Sequence, residues 1–308
     1  YGEVIRVRRG VSTAKVFVTV FEGLFLVLFW AWVFSTALFL RNTVLPRTPI
    51  TQYPQLYGLP VTTVQFQATD GTPLEGWTIP GDPDRPWILF CHGLGANRED
   101  LLDIASGLHA AHFNLFLFDF RGHGGSKGRV TSFGWQEQRD LEGALSFLGR
   151  QADVPAKPYG VYGISLGASV ALMVAAHDER IGAVVADSPY TTLEESLGRH
   201  LTLMYPLPKI PFLWFVLTTY RLRFGVWPQE ISPETSVTAI SPRPFLLIHG
   251  AKDDRMSVAG TRRMFAQAGT PKDLWVIEDA GHLEGYGLHP ADYLKRLVQF
   301  FSESLQAQ

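Results

Sequence analysis

The chain has 308 residues, 46% of them hydrophobic and 18% charged, with a net charge of −2 at neutral pH. That length suits one large α/β domain or two small ones, the apolar share can fill a sizeable core, and the balanced charge argues against nucleic acid as a partner. A single cysteine, Cys91, excludes an intrachain disulfide, and with no CxxC, HExxH or EF-hand-like pattern neither a metal nor another cofactor is expected.

Residues 1–15 form a basic N-terminal flank holding Arg6, Arg8, Arg9 and Lys15, and the first residue is Tyr1 rather than Met, which leaves room for a start further upstream. The run "VFVTVFEGLFLVLFWAWVFSTALFL", residues 16–40, carries one charge, Glu22, and the 18 residues from Gly23 to Leu40 carry none. At ~1.5 Å rise per residue the uncharged part covers roughly 27 Å, close to a hydrocarbon core of about 30 Å, with Glu22 near one interface. A cleaved signal peptide has a shorter apolar part, a soluble core helix is rarely apolar all round for so long, and an interfacial helix needs a polar face. The expectation is therefore a single-pass transmembrane helix over 16–40. The basic excess before the span, against Arg41 and Arg47 after it, predicts a cytoplasmic N-terminus and a C-terminal domain on the far side of a cell membrane. Trp30 and Trp32 fall mid-span, a placement that an interfacial aromatic belt does not account for.

Residues 41–60, "RNTVLPRTPITQYPQLYGLP", are proline-rich without apolar periodicity and read as a semi-rigid linker to a domain over 61–308. "VTTVQFQA" and "PLEGWTIP" flank "TDGT", whose Asp-Gly predicts an antiparallel hairpin at one sheet edge. Short apolar strands follow: "WILFCHG", "NLFLFDF", "YGVYGIS", "IGAVVAD", "PFLLIHG" and "LWVIEDA". Helical stretches "EDLLDIASGLHAA" and "WQEQRDLEGALSFLGRQ" lie between them, and "ADYLKRLVQFFSESL" sets Leu294, Leu297, Val298, Phe301 and Leu305 on one face. Apolar strands alternating with helices predict an α/β fold, a mainly parallel sheet covered by helices on both faces. One stretch, about 190–242, interrupts the alternation with the apolar, proline-broken "LMYPLPKIPFLWFVL" and reads as a lid insertion.

Ligands of open α/β sheets bind beyond the carboxyl ends of the strands. There "YGVYGIS" delivers Ser165, "PFLLIHG" is followed by Asp253 and Asp254, and "LWVIEDA" is followed by His282. A serine, an acid and a histidine in that order make a nucleophile, an orienter and a base. Gly163 and Gly167 around Ser165 allow a strand-to-helix turn tight enough to lift the hydroxyl clear, and "ASVALMVAA" supplies the helix. The Gly-x-Ser-x-Gly pattern alone is weak, but the strand before it, the helix after it and two partners at strand ends make it strong. Asp253 and the adjacent Asp254 both remain open as the acid. Asp187 in "ADSP" and His249 read as structural, His92 as shaping a loop, and Arg121 and His123 in "DFRGHGGS" as bracing one.

From about residue 60 to the end, "HGLGAN", "DFRGHGGS", "GISLG", "HGAKDD" and "AGH" resemble the α/β-hydrolase fold family of serine hydrolases. With the apolar span, the set is similar to its single-pass members, related to monoacylglycerol lipases, acyl-protein thioesterases and serine aminopeptidases. The resemblance implies that His282 takes the proton of Ser165 as it attacks an acyl carbonyl, that Asp253 orients His282, and that the backbone N–H groups of Leu94 and Leu166 form the oxyanion hole. Family spacing after "HG" favours Asp253 over Asp254. The lid matches no assignable pattern, so the motifs specify chemistry and not substrate. A span, a greasy lid and an uncharged acyl-transfer site together suggest an amphiphilic acyl ester that arrives from the lipid bilayer. Glu194, Glu195 and Glu230 in the lid region keep a peptidase open, and an idle membrane-anchored binding protein is the non-enzymatic rival.

Overall fold

A computed structural model describes residues 13–151, 154 and 158–306. Arg6, Arg8 and Arg9, on which the expected orientation rests, lie outside the described residues. The strands are β1 (Thr62–Gln67), β2 (Pro73–Ile79), β3 (Trp87–Cys91), β4 (Asn114–Phe118), β5 (Tyr159–Ile164), β6 (Ile181–Asp187), β7 (Phe245–Gly250) and β8 (Lys272–Ile277). They form one sheet in the order β1-β2-β4-β3-β5-β6-β7-β8. β2 runs antiparallel to both β1 and β4, and every pairing from β4 to β8 is parallel. The hairpin sits at the edge as expected. Its turn is closed by Thr72 N–H donating to Asp70 Oδ1 at 3.2 Å, with Gly71 at φ +83°.

The helices are α1 (Thr13–Asn42), α2 (Leu102–Ala110), α3 (Glu137–Leu148), α4 (Leu166–Ala175), α5 (Leu193–Met204), α6 (Lys209–Phe224), α7 (Pro233–Ser236), α8 (Val258–Gln267), α9 (Gly285–Leu288) and α10 (Pro290–Gln306). The two-residue period of the strands divides the core between the sheet's faces. Leu89, Phe116, Phe118, Val161, Val184 and Leu247 point to the side of α3 and α4. Their alternates Ile88, Leu115, Leu117, Tyr162, Val185 and Leu246 point to the side of α2 and α10. On α10 the expected face is the buried one, with Leu297, Phe301 and Leu305 against the sheet. Because both faces are covered, the central strands are apolar throughout rather than alternating.

The stretch between β6 and β7 holds α5, α6 and α7. The Thr192 hydroxyl caps α5 by accepting the Glu195 N–H at 3.1 Å. α1 is long and apolar enough to cross a membrane, and its early turns are exposed all round. Its last three turns are not free: Ser35 and Phe39 are buried, Thr36 Oγ1 lies 2.9 Å from Thr219 Oγ1 of α6, and Asn42 Nδ2 donates to the Tyr205 hydroxyl at 3.1 Å. Residues 41–60 also lie along the domain. Pro54 and Leu59 are buried, and Glu99 Oε2 accepts the N–H groups of Thr51 and Gln52.

Candidate active site

β5 is buried on both faces and ends between β3 and β6, so the residue after Ile164 emerges at the centre of the sheet's carboxyl edge. That residue is Ser165, held at φ +50°, ψ −111°, a left-handed conformation a side chain rarely adopts. Its N–H donates to the Asp187 carbonyl at 2.8 Å, and its own carbonyl accepts the Ser169 N–H at 3.1 Å. The turn works only with glycine on either side. A Cβ at Gly163 would stand 2.5 Å from the Gly167 carbonyl oxygen, and one at Gly167 would strike the Cys91 carbonyl of β3. The serine hydroxyl is thereby lifted to the N-terminus of α4, where the helix dipole favours negative charge.

His282, three residues before α9, places Nε2 3.1 Å from Ser165 Oγ and Nδ1 2.7 Å from Asp253 Oδ2. Asp253 Oδ1 accepts the N–H groups of Arg255 and Met256, each at 2.8 Å. Burial alone would raise the Asp253 pKa, but the adjoining imidazoles of His249 and His282 and the Met256 N–H overcome it and hold the carboxyl well below the usual carboxylate range. The adjacent Asp254 side chain is exposed. Of the two acids left open, Asp253 is the one whose carboxylate meets His282. His249, read as merely structural, lies with Nε2 3.3 Å from Asp253 Oδ2 and Nδ1 2.8 Å from Thr261 Oγ1, so the acid stands between two imidazoles. Nothing in the local sequence signals that, because His249 is on the strand and Asp253 beyond it.

Leu94 follows β3 and Leu166 follows the serine, and neither backbone N–H has an acceptor among the described residues. The turn after β3 lies against the nucleophile, since a Cβ on Gly93 would come within 3.8 Å of Ser165 Cβ. His92 Nε2 accepts the Phe120 N–H at 3.0 Å, so its proton is on Nδ1, which donates to the Gly93 carbonyl at 2.8 Å. In a trans peptide N–H and C=O point opposite ways. Pinning the Gly93 carbonyl inward therefore turns the Leu94 N–H outward. Burial, and next the nearby His123, hold the His92 pKa down at about 3, so this acceptor stays neutral. Asp187 is buried, with Oδ2 taking the Tyr293 hydroxyl at 2.6 Å and Oδ1 the Ser188 hydroxyl at 2.8 Å, and burial raises its pKa. Arg121 grips the buried Asp140 with Nε at 2.9 Å and Nη2 at 2.6 Å, securing the loop it belongs to.

Among the described residues no cluster of histidine, cysteine or carboxylate side chains could hold a metal. A polar groove of about 570 Å³ lies between β8 and α10, lined by Asp273, Trp275, Arg296 and Glu303 among others, and contains none of Ser165, Asp253, His282, Leu94 and Leu166.

Residues 86–214 match a family described as alpha/beta hydrolase fold. The uncharacterized Bacillus subtilis protein YqkD is 30% identical over 232 residues, 75% of this chain and 75% of that protein. The uncharacterized Mycobacterium tuberculosis protein Rv2307c is 31% identical over 243 residues, 78% of this chain and 79% of that protein. Among solved structures, the Pyrococcus furiosus esterase Pf2001 superposes with a TM-score of 0.71 at 25% identity, covering 85% of this chain and 99% of that one.

Proposed function

The chain belongs to the α/β-hydrolase fold family and is a hydrolase; from that premise we propose that it is a membrane-anchored serine hydrolase that cleaves carboxylic esters of lipid-like acyl substrates through Ser165, His282 and Asp253. One observation carries the reading: the unbroken relay of 3.1 Å from Ser165 Oγ to His282 Nε2 and 2.7 Å from His282 Nδ1 to Asp253 Oδ2. Ser165 Oγ attacks the acyl carbonyl carbon while Nε2 takes its proton, and ionised Asp253 holds the imidazole in the Nδ1–H tautomer and stabilises the imidazolium. The carbonyl oxygen, now an oxyanion, is received by the N–H groups of Leu94 and Leu166, each worth about 3–4 kcal/mol to the transition state. His282 returns the proton to the leaving alkoxide as the C–O bond breaks. Water, activated by the same imidazole, then releases the acyl group as an acid.

The lipid character of the substrate rests on α1 and α6. The uncharged part of α1, Gly23 to Leu40, includes the turn at Ser35–Phe39 that packs on α6, so α6 lies beside the membrane-embedded helix. Its outward side shows Ile210, Trp214 and Leu222, 86%, 63% and 73% exposed, surfaces that gain by entering the acyl boundary of a bilayer. An ester diffusing in that bilayer meets α6 before the aqueous phase. Each methylene moved from water into an apolar pocket contributes ~0.8 kcal/mol, so chain length is a sensitive reporter. The domain is assigned to the extracytoplasmic side, a placement that protease digestion of the domain in intact cells checks.

The test is the hydrolysis of esters of increasing acyl length, including a monoacylglycerol, by detergent-solubilised protein with Ser165→Ala as the blank. Serine-dependent turnover that peaks at medium or long chains supports the reading. Turnover confined to thioesters or peptides would transfer the site to those bonds, and the absence of both turnover and fluorophosphonate labelling would make the protein an idle binding module.

A further inference from the structure

The segment that leaves α1 reaches the turn bearing the Leu94 N–H. Thr48 Oγ1 donates to the Gly95 carbonyl at 2.8 Å, and Asn97 Nδ2 donates back to the Thr48 carbonyl at 3.3 Å. Gly95, at φ +75°, is held from its other side as well: its N–H donates to His123 Nε2 at 3.1 Å, and His123 Nδ1–H donates to the Arg121 carbonyl at 2.9 Å. His123 in turn rides on the loop 119–128, three of whose carbonyls are gathered by Arg47. Its guanidinium donates to Gly124 O at 2.9 Å, to Gly128 O at 2.7 Å and to Ser126 O. Two consecutive residues thus grip the turn after β3 on both sides, Thr48 directly and Arg47 through the loop that carries His123.

We propose that Arg47 and Thr48 are positioning residues for the oxyanion hole, so that the stretch joining the apolar helix to the domain is a working part of the active site. The inference rests on Leu94 serving as an oxyanion donor. Gly95 has no side chain to anchor the turn and sits in a conformation that glycine leaves easily. The peptide on which the Leu94 N–H rides is therefore only as fixed as its neighbours' hydrogen bonds. An oxyanion donor stabilises the transition state only when it is aimed before the charge develops. Both side chains are exposed, so shortening either opens no cavity, and loss of fold is not the expected effect.

The experiment uses the full chain in detergent, with kcat and KM measured on one ester and inhibition measured with a trifluoromethyl ketone, whose hemiketal oxyanion occupies the same hole. Thr48→Val removes the donor at constant shape and is expected to lower kcat about fivefold with KM unchanged, the size of one ordinary hydrogen bond. Thr48→Ser keeps the hydroxyl and should restore the rate. Arg47→Met with Thr48→Val should lower kcat roughly tenfold or more, and the ketone should weaken by the same factor as kcat. A kcat within twofold of the parent in both Thr48→Val and the double variant overturns the proposal, as does a Thr48→Ser variant no better than Thr48→Val. Ser165→Ala separates the two readings: if it abolishes turnover while the Thr48 variants change nothing, only the linker inference fails. If Ser165→Ala retains turnover, the site assignment fails and the inference with it.

Discussion

Asp253→Asn is the sharpest probe of the relay, because the surroundings of the carboxyl leave the amide one good orientation. Oδ1 accepts two backbone N–H groups, from Arg255 and Met256, each at 2.8 Å. An amide must place its carbonyl oxygen there, since an NH2 would face two donors and leave both unsatisfied at a cost of about 1–3 kcal/mol each. The NH2 then occupies the Oδ2 position, 2.7 Å from His282 Nδ1, and can only donate. His282 is driven into the tautomer with its proton on Nε2, the atom 3.1 Å from Ser165 Oγ that must accept a proton. Loss of the correct tautomer in a triad of this kind costs on the order of 10⁴ in kcat, about 5.4 kcal/mol in the barrier. The assay is ester turnover at neutral pH, with thermal unfolding followed by circular dichroism to show that the fold persists. Asp254→Asn, whose side chain is exposed, should stay within roughly twofold. The reasoning is refuted if Asp253→Asn keeps a tenth of the parental kcat, or if Asp254→Asn is the variant that falls.

Gly167→Ala should lower the melting temperature and abolish turnover together, because the added methyl meets the Cys91 carbonyl and strand backbone cannot yield, an overpacking cost of about 1–3 kcal/mol or more; an active, equally stable variant would contradict the tight elbow. His92 has a folded pKa near 3 against 6.5 when free, so the unfolded chain binds more protons between those limits. Its contribution to stability is complete above pH 6.5 and is lost as the pH falls toward 3, at up to ~1.4 kcal/mol per unit; denaturant titrations across that window should show a shallower slope for His92→Asn. Cys91 is buried, so a cysteine introduced at Trp214 can be labelled selectively with an environment-sensitive dye. In nanodiscs that label should be quenched by spin-labelled lipids as one at Phe25 is, whereas quenching at Phe25 alone would show that α6 stands clear of the bilayer.

Much of this protein is legible in order along the chain. The strands, the edge hairpin and α10 follow from periods of two and of about 3.6, because burial on one or both faces acts on neighbouring residues. Ser165, Asp253 and His282 were recognisable as well, since each stands just past an apolar run and a parallel sheet brings such ends to one edge. The stretch between β6 and β7 was visible only as an interruption, because α6 packs on α1, a segment far away along the chain.

Legible along the chain, then, are the sheet with its helices, the glycines around Ser165 and the side chains proposed for catalysis, for each depends on local periodicity or on the position of a residue at the end of its own strand. Tertiary structure alone decided that Asp253 and not Asp254 meets His282, that His249 stands on the far side of that carboxylate, and that Arg47 and Thr48 reach the turn after β3. It also decided that the last turns of α1 rest on α6. Apart from His249, which is four residues from Asp253 but on the strand side of the turn, these are contacts between segments tens to hundreds of residues apart. Nothing in the spacing of one segment records the other, because their distance is set by how the sheet twists and the helices pack.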